Sequence, residues 1–250
     1  MPLLGIIGGS GLNRMAELED VRREILSTPY GEPSAALTFG RLHGREVVFL
    51  ARHGDGHVIA PHRINYRANI RALHDCGVRE VVAVATVGGI LEDLEPGSLV
   101  VPDQIIDYTH GRVSTFFDGV EQPLDHVDFT QPFCEAMRSR LLRAGADAGE
   151  RLRDGGVYGA TQGPRLETAA EIRRMARDGA DIVGMTGMPE AVLARELGLC
   201  YAMLAVVVNA AAGIGGNREG ISLEDIRAVS DAAMRRVAII LAGVAGGHGG

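Results

Sequence analysis

The chain has 250 residues, 46% of them hydrophobic and 23% charged, with a formal net charge of -7. That is enough apolar material for one substantial core, and no Pro/Gly/Ser-rich linker divides it, so a single domain over 1–250 is expected. The acidic balance and the lack of any Lys/Arg run argue against nucleic acid or an anionic membrane as partner, so any anion site must be built locally.

The three cysteines, Cys76, Cys134 and Cys200, lie far apart in sequence and fit no metal-ligand spacing. The N-terminus has no charged segment followed by a long apolar one, and the apolar runs are strand-sized rather than membrane-spanning. A reduced, soluble, cytoplasmic protein is expected.

In chain order, Leu3 through Gly8 is a continuous apolar run suited to a strand buried on both faces. It opens into Gly-Ile-Ile-Gly-Gly-Ser-Gly-Leu (5–12), where Gly8, Gly9 and Gly11 let backbone N–H groups approach an anion and Ser10 adds a hydroxyl donor. The same glycines would also serve an ordinary strand-to-loop turn. A dinucleotide fingerprint is matched only in part, because Arg14 stands where the third glycine belongs and the chain is interrupted at Ser27-Thr28-Pro29-Tyr30-Gly31 before a usual crossover helix.

Residues 37–42 and 47–52 read as a hairpin around His43-Gly44 that delivers Arg52-His53 to an irregular loop running to Pro61. Residues 65–76 have helical spacing, with Gly77 as stop. Strands are expected at 81–87, closing on Gly88-Gly89, at 99–102, 157–161, 182–184 and 200–208, and helices at 132–145, 167–178, 189–197 and 223 to about 241. The loop at 108–128 is long and polar, the kind that carries function or meets another chain. Residues 243–250, rich in glycine, are expected to fray. The class is α/β, a central mixed sheet flanked by helices.

Ser10, Arg52 with His53, Thr86 and Thr186 all follow apolar strands, where ligands gather in open α/β sheets. An arginine fork with hydroxyls and backbone N–H groups is the donor set a tetrahedral phosphate needs. Each alone has a plainer reading: a surface ion pair for Arg52, a strand-end hydroxyl satisfied by backbone for Thr86 or Thr186.

These segments, with Ala-Arg-His-Gly (51–54), Asn-Tyr-Arg-Ala-Asn-Ile (65–70), Phe-Phe-Asp-Gly (116–119), Gln-Gly-Pro-Arg (162–165), Gly-Met-Thr (184–186) and Met-Pro-Glu-Ala-Val-Leu-Ala (188–194), resemble the trimeric purine nucleoside phosphorylase and methylthioadenosine phosphorylase family over nearly the whole chain. The resemblance implies reversible phosphorolysis of a purine nucleoside, with inorganic phosphate as co-substrate, no metal or organic cofactor, and a homotrimer. It implies phosphate on Ser10, Arg52, His53, Thr86, the backbone at Val87, and Thr186, ribose beside Met185, and purine beside Leu166.

Base choice is implied at two positions, where the chain departs from the methylthioadenosine branch. That branch carries an Asp-x-Asp pair after the last strand; Asn209-Ala210-Ala211 stands here. Asn209 suits N7 and O6 of a 6-oxopurine, and Glu167 suits its N1–H, whereas adenine offers an unprotonated N1 and an amino donor. Glu167 could instead cap the following helix. The 5′ side is implied to be apolar: Leu223 and Ile226 stand where ordinary nucleoside phosphorylases place a histidine for the 5′-hydroxyl. His57 and, from a neighbouring subunit, His126 match positions lining that pocket, although either also fits a solvated loop.

An oxopurine reader with an apolar 5′ pocket points to 5′-methylthioinosine. Inosine or guanosine, and methylthioadenosine, are the alternatives within the family. A nucleotide-binding oxidoreductase would need an acidic ribose-binding residue about 20 residues after the glycine loop, for which Asp20 or Glu24 would have to serve. A non-catalytic binding module leaves Arg52, Thr86, Glu167, Thr186 and Asn209 unexplained.

Overall fold

A β-branched run beginning at Val78 sets the axis of the sheet. In the computed structural model, which describes residues 2–9, 12, 18–120, 122–215, 217 and 220–246, it forms β5 (Val78–Gly89), the longest strand. The other strands are β1 (Leu3–Gly8), β2 (Glu19–Glu24), β3 (Leu37–Leu42), β4 (Arg45–Ala51), β6 (Leu99–Val101), β7 (Gln104–Asp107), β8 (Leu152–Asp154), β9 (Val157–Ala160), β10 (Ile182–Gly184) and β11 (Cys200–Ala210). The helices are α1 (Tyr66–Asp75), α2 (Glu135–Asp147), α3 (Ala169–Asp178), α4 (Gly187–Glu196) and α5 (Leu223–Gly246). The expected mixed α/β architecture is what forms.

All these strands belong to one sheet, with the path β2-β3-β4-β1-β5-β10-β9-β7 and a branch in which β11 pairs with β5 and β6. β5 carries β11 along one side and, on the other, first β1 and then β10. The last β1 pair joins Ile7 to Ala83, and the first β10 pair joins Val183 to Gly88. Val84 through Val87 therefore have no strand beside them there among the described residues, and a gap opens in the middle of the sheet.

Strand alternation divides the core between two faces. Ile7, Val81, Ala83, Tyr201 and Met203 pack with Ile70 and Leu73 of α1 and Ala191 and Leu193 of α4. Leu4, Ile6, Val82, Leu204 and Val206 pack with Met137 and Leu141 of α2 and Val237 and Leu241 of α5. Strands apolar on both faces are what such a three-layer arrangement requires.

Several expectations are corrected. β2 is unforeseen because Glu-Asp-Val-Arg-Arg-Glu is almost wholly charged, and as an exposed edge strand it needs no apolar side. It runs antiparallel to β3, two strands removed from β1, so Asp20 and Glu24 do not close the βαβ unit a dinucleotide site needs. The final helix continues to Gly246 instead of fraying from 243. Val244 and Ala245 are buried in the core, and a Cβ at Gly243 would lie 3.2 Å from that of Ala144, so glycine there lets α5 approach α2 closely. Residues 247–250 lie outside the described residues.

The expectation of reduced cysteines also fails for two of them. Cys134 and Cys200 form a disulfide with Cα atoms 5.1 Å apart. Distance along the chain concealed this: the Cys134 N–H donates to the Tyr201 carbonyl at 2.8 Å, which seats the start of α2 beside the start of β11.

Candidate active site

The gap beside Val84–Val87 is the floor of a cavity of about 500 Å³, a size suited to a small organic ligand. Arg52, His53, His57, Thr86, Val87, Leu166, Glu167, Met185, Thr186, Asn209, Leu223 and Ile226 all line it. Two expected residues are not accounted for. Ser10 lies outside the described residues, and His126 is exposed on the long loop and does not line the cavity of its own chain.

The close approach expected of the first glycines is visible at Gly9. A Cβ there would lie 2.6 Å from the Val84 carbonyl oxygen and 3.0 Å from Arg52 Nη1. Only a residue without a side chain leaves Arg52 its place.

Arg52 is not a surface ion pair. It is fully buried, and its Nε and Nη2 donate to the two carboxylate oxygens of Glu190 at 2.6 and 2.8 Å, while Nη1 donates to the Val84 carbonyl at 2.9 Å. That carbonyl belongs to the stretch of β5 left without a partner strand, so the guanidinium takes up a backbone acceptor which β1 stops short of reaching. Burial opposes the charge on Arg52, but the adjacent Glu190 carboxylate outweighs it and holds the pKa above the ordinary value.

His53 Nδ1 lies 2.8 Å from the Ile59 carbonyl, which can only accept, so the proton sits on Nδ1 and Nε2 remains an acceptor. Burial first, and then the Arg52 charge, push its pKa down to about 4. The ring is neutral at ordinary pH and faces His57 with centroids 4.2 Å apart. Burial and Arg52 also lower the His57 pKa. The His57 backbone has φ of 59°, a left-handed conformation uncommon for a residue with a Cβ and concentrated at functional sites.

Thr186 occupies the N-cap of α4, yet its side chain makes no capping hydrogen bond. Its hydroxyl is therefore not consumed by the helix start. Glu167 is likewise not the helix cap. Thr168 is, and it forms a capping box with Glu171 that satisfies the first turn of α3. The Glu167 carboxylate instead accepts the Thr161 hydroxyl at 2.6 Å. Asn209 follows a register shift in the β11–β5 pairing between Val207 and Asn209, a bulge of the kind that re-aims a side chain beside a site. Its Nδ2 donates to the Ala210 carbonyl at 2.6 Å, which leaves a second N–H and Oδ1.

A family model described as Phosphorylase superfamily matches residues 3–245. The chain belongs to the phosphorylase superfamily. It is 52% identical over 230 residues to a probable S-methyl-5′-thioinosine phosphorylase of Xanthomonas campestris, covering 92% of each chain. A 6-oxopurine nucleoside phosphorylase of Pyrococcus furiosus is 48% identical over 223 residues, covering 87% of this chain and 83% of that one. Among solved structures, methylthioadenosine phosphorylase of Schistosoma mansoni in complex with adenine is 32% identical with a TM-score of 0.92, over 98% of this chain and 91% of that one.

Other residues that short-range sequence pattern does not single out hold the lining of the cavity together. Arg112, on the long loop, donates from Nη1 to the Met185 and Met188 carbonyls at 2.8 and 2.5 Å and from Nη2 to the Thr161 and Gln162 carbonyls at 3.1 and 2.8 Å. One guanidinium thus ties the turn bearing Met185 and Thr186 to the loop leading to Glu167. Glu190 stood within the Met-Pro-Glu-Ala segment, but only the fold brings it to Arg52. A charge set within the apolar run 188–194 was the available signal.

Proposed function

We propose that the protein catalyses phosphorolysis of 5′-methylthioinosine to hypoxanthine and 5-methylthioribose 1-phosphate, a pentosyl transfer in purine salvage. The observation that carries this reading is the pairing of Glu167 and Asn209 with an apolar Leu223/Ile226 wall in one cavity. Glu167 has no helix-capping duty, and a carboxylate that accepts the Thr161 hydroxyl keeps a second oxygen for a ring N–H. That polarity fits the N1–H of a 6-oxopurine and opposes the bare N1 of adenine.

Phosphate is assigned to the Arg52 end, with Thr86, Thr186, the Val87 backbone and Ser10. Neutral His53 contributes an acceptor at Nε2 for the hydroxyl of hydrogen phosphate. An oxygen of phosphate bonds to the anomeric carbon as the bond to N9 of the purine breaks. The electron pair leaves with the base, and the proton that the purine takes up, with Asn209 at N7, is balanced by the one that hydrogen phosphate gives up. The sugar becomes cationic between these events, and the adjacent phosphate stabilises it. The reaction requires inorganic phosphate and no metal or organic cofactor, so chelator-treated enzyme should retain its rate.

The 48% identical relative named for 6-oxopurine nucleosides supports a second reading, inosine or guanosine as substrate. A homotrimer agrees with the exposed Val113, Val120 and Leu124 on the long loop, which would be covered by a second copy that also delivers His126 to a neighbouring 5′ pocket.

The test is phosphate-dependent purine release from methylthioinosine, methylthioadenosine, inosine and adenosine in parallel. A wide lead for methylthioinosine supports both the base and the 5′ assignments. A lead for methylthioadenosine overturns the base argument, a lead for inosine overturns the pocket argument, and no turnover of any overturns the reaction.

A further inference from the structure

The ion pair under the floor of the cavity has a structure beyond what a lone phosphate-binding arginine needs. Arg52 at the end of β4, Glu190 on α4 and Tyr201 on β11 come from three elements and are all buried, Arg52 and Glu190 completely. Glu190 Oε1 accepts both Arg52 Nη2 and the Tyr201 hydroxyl, each at 2.8 Å. A guanidinium has five N–H bonds. Three have acceptors here, two on Glu190 and one on the Val84 carbonyl, so two remain on the group that lines the cavity.

The charges around that group nearly cancel. Glu190 offsets Arg52, and burial holds His53 neutral. An anion entering here meets fixed N–H directions in place of a surplus of positive charge. Orientation then decides affinity, and orientation is set from behind.

We propose that Glu190 and Tyr201 are positioning residues of the phosphate site, gripping Arg52 from its buried side so that its two remaining N–H bonds face the anion. This rests on the assignment of phosphate to the Arg52 end of the cavity. Tyr201 acts one step further back, fixing the carboxylate that fixes the arginine. A side-on bidentate pair admits one orientation of the guanidinium plane, and the tyrosine hydroxyl keeps the carboxylate from rotating away from it.

The test measures KM for phosphate, KM for nucleoside and kcat in Tyr201→Phe and Glu190→Gln. Tyr201→Phe retains the ion pair and should fold. Its phosphate KM is expected to rise about tenfold, the value of one hydrogen bond to a charged group, with nucleoside KM within about twofold of wild type. Glu190→Gln, where it folds, is expected to lose about a hundredfold in kcat/KM for phosphate with the same selectivity. Equal losses for both substrates, or an unchanged phosphate KM with only a lowered melting temperature, would make the two residues ordinary core and overturn the proposal. Arg52→Ala separates the two layers of inference. If it leaves phosphate KM unchanged, the phosphate assignment itself fails; if it raises phosphate KM while Tyr201→Phe does not, the positioning proposal alone fails.

Discussion

The Thr161 hydroxyl donates to Glu167 across 2.6 Å, while Thr168 and Glu171 cap α3 without it. A carboxylate placed between a donor and a cavity, with no structural duty of its own, is suited to reading a base. Replacing Glu167 by Ser together with Asn209 by Asp should reverse the polarity of that reader. The ratio of kcat/KM for methylthioadenosine to that for methylthioinosine is expected to rise at least about tenfold, since the mismatch removed is worth roughly 1–3 kcal/mol. An unchanged ratio in parallel assays of the two nucleosides would remove both residues from base selection.

His53 should make acid stability characteristic. Its folded pKa of about 4 lies below the ordinary value of 6.5, so in this window the unfolded chain binds the proton first. Its contribution is complete above about pH 6.5, declines as the pH falls toward 4, and is constant below that. The full shift corresponds to about 3 kcal/mol. Urea midpoints measured across this range for wild type and His53→Asn should converge at the acid end. A parallel decline in the two proteins would mean that His53 titrates normally. No inflection in rate between pH 6 and 8 is expected from this residue.

Gly9→Ala should weaken phosphate use. The new Cβ would come within 2.6 Å of the Val84 carbonyl oxygen, forcing backbone to move, and within 3.0 Å of Arg52 Nη1. A rise of at least about tenfold in phosphate KM is expected, from loss or misdirection of at least one charge-assisted hydrogen bond. Normal phosphate kinetics in this variant would show that the glycine loop and Arg52 do not share a ligand.

Leu223→His tests the 5′ wall. Leu223 is exposed at the mouth of the cavity and begins α5, so the substitution removes little core packing. A hydrogen-bond donor for a 5′-hydroxyl, set where a methylthio group would otherwise rest, should raise the inosine to methylthioinosine ratio of kcat/KM by about tenfold. A ratio that does not move would place the 5′ group elsewhere.

Part of this site could be read from the chain because it sits where apolar runs end. Arg52 follows β4, Thr186 comes just after β10 and Asn209 stands next to last in β11, and short-range pattern is enough to find such positions; Thr86 lies inside β5, where only the sheet topology reveals the missing neighbour. Glu190 and Arg112 were not legible as site residues because their importance lies in partners 138 and 73 residues away, Arg52 and the Met185 carbonyl. The disulfide joins positions separated by 66 residues and was hidden for the same reason. β2 escaped because an edge strand exposed to water carries no apolar signature, and the last turn of α5 because packing against α2 overrides the poor helix propensity of its glycines.

The end of β1 at Gly8 has a consequence for how such a protein could change. The cavity is a length of sheet left unbuilt, bounded by one strand that stops early and another that begins late. Three more residues of regular pairing after Gly8 would continue the β1 register to Val87, satisfy the free edge of β5 and expel Arg52 from its backbone acceptor. Strand length thus sets the room for a ligand here, and a chain selected only for stability would tend to heal the opening.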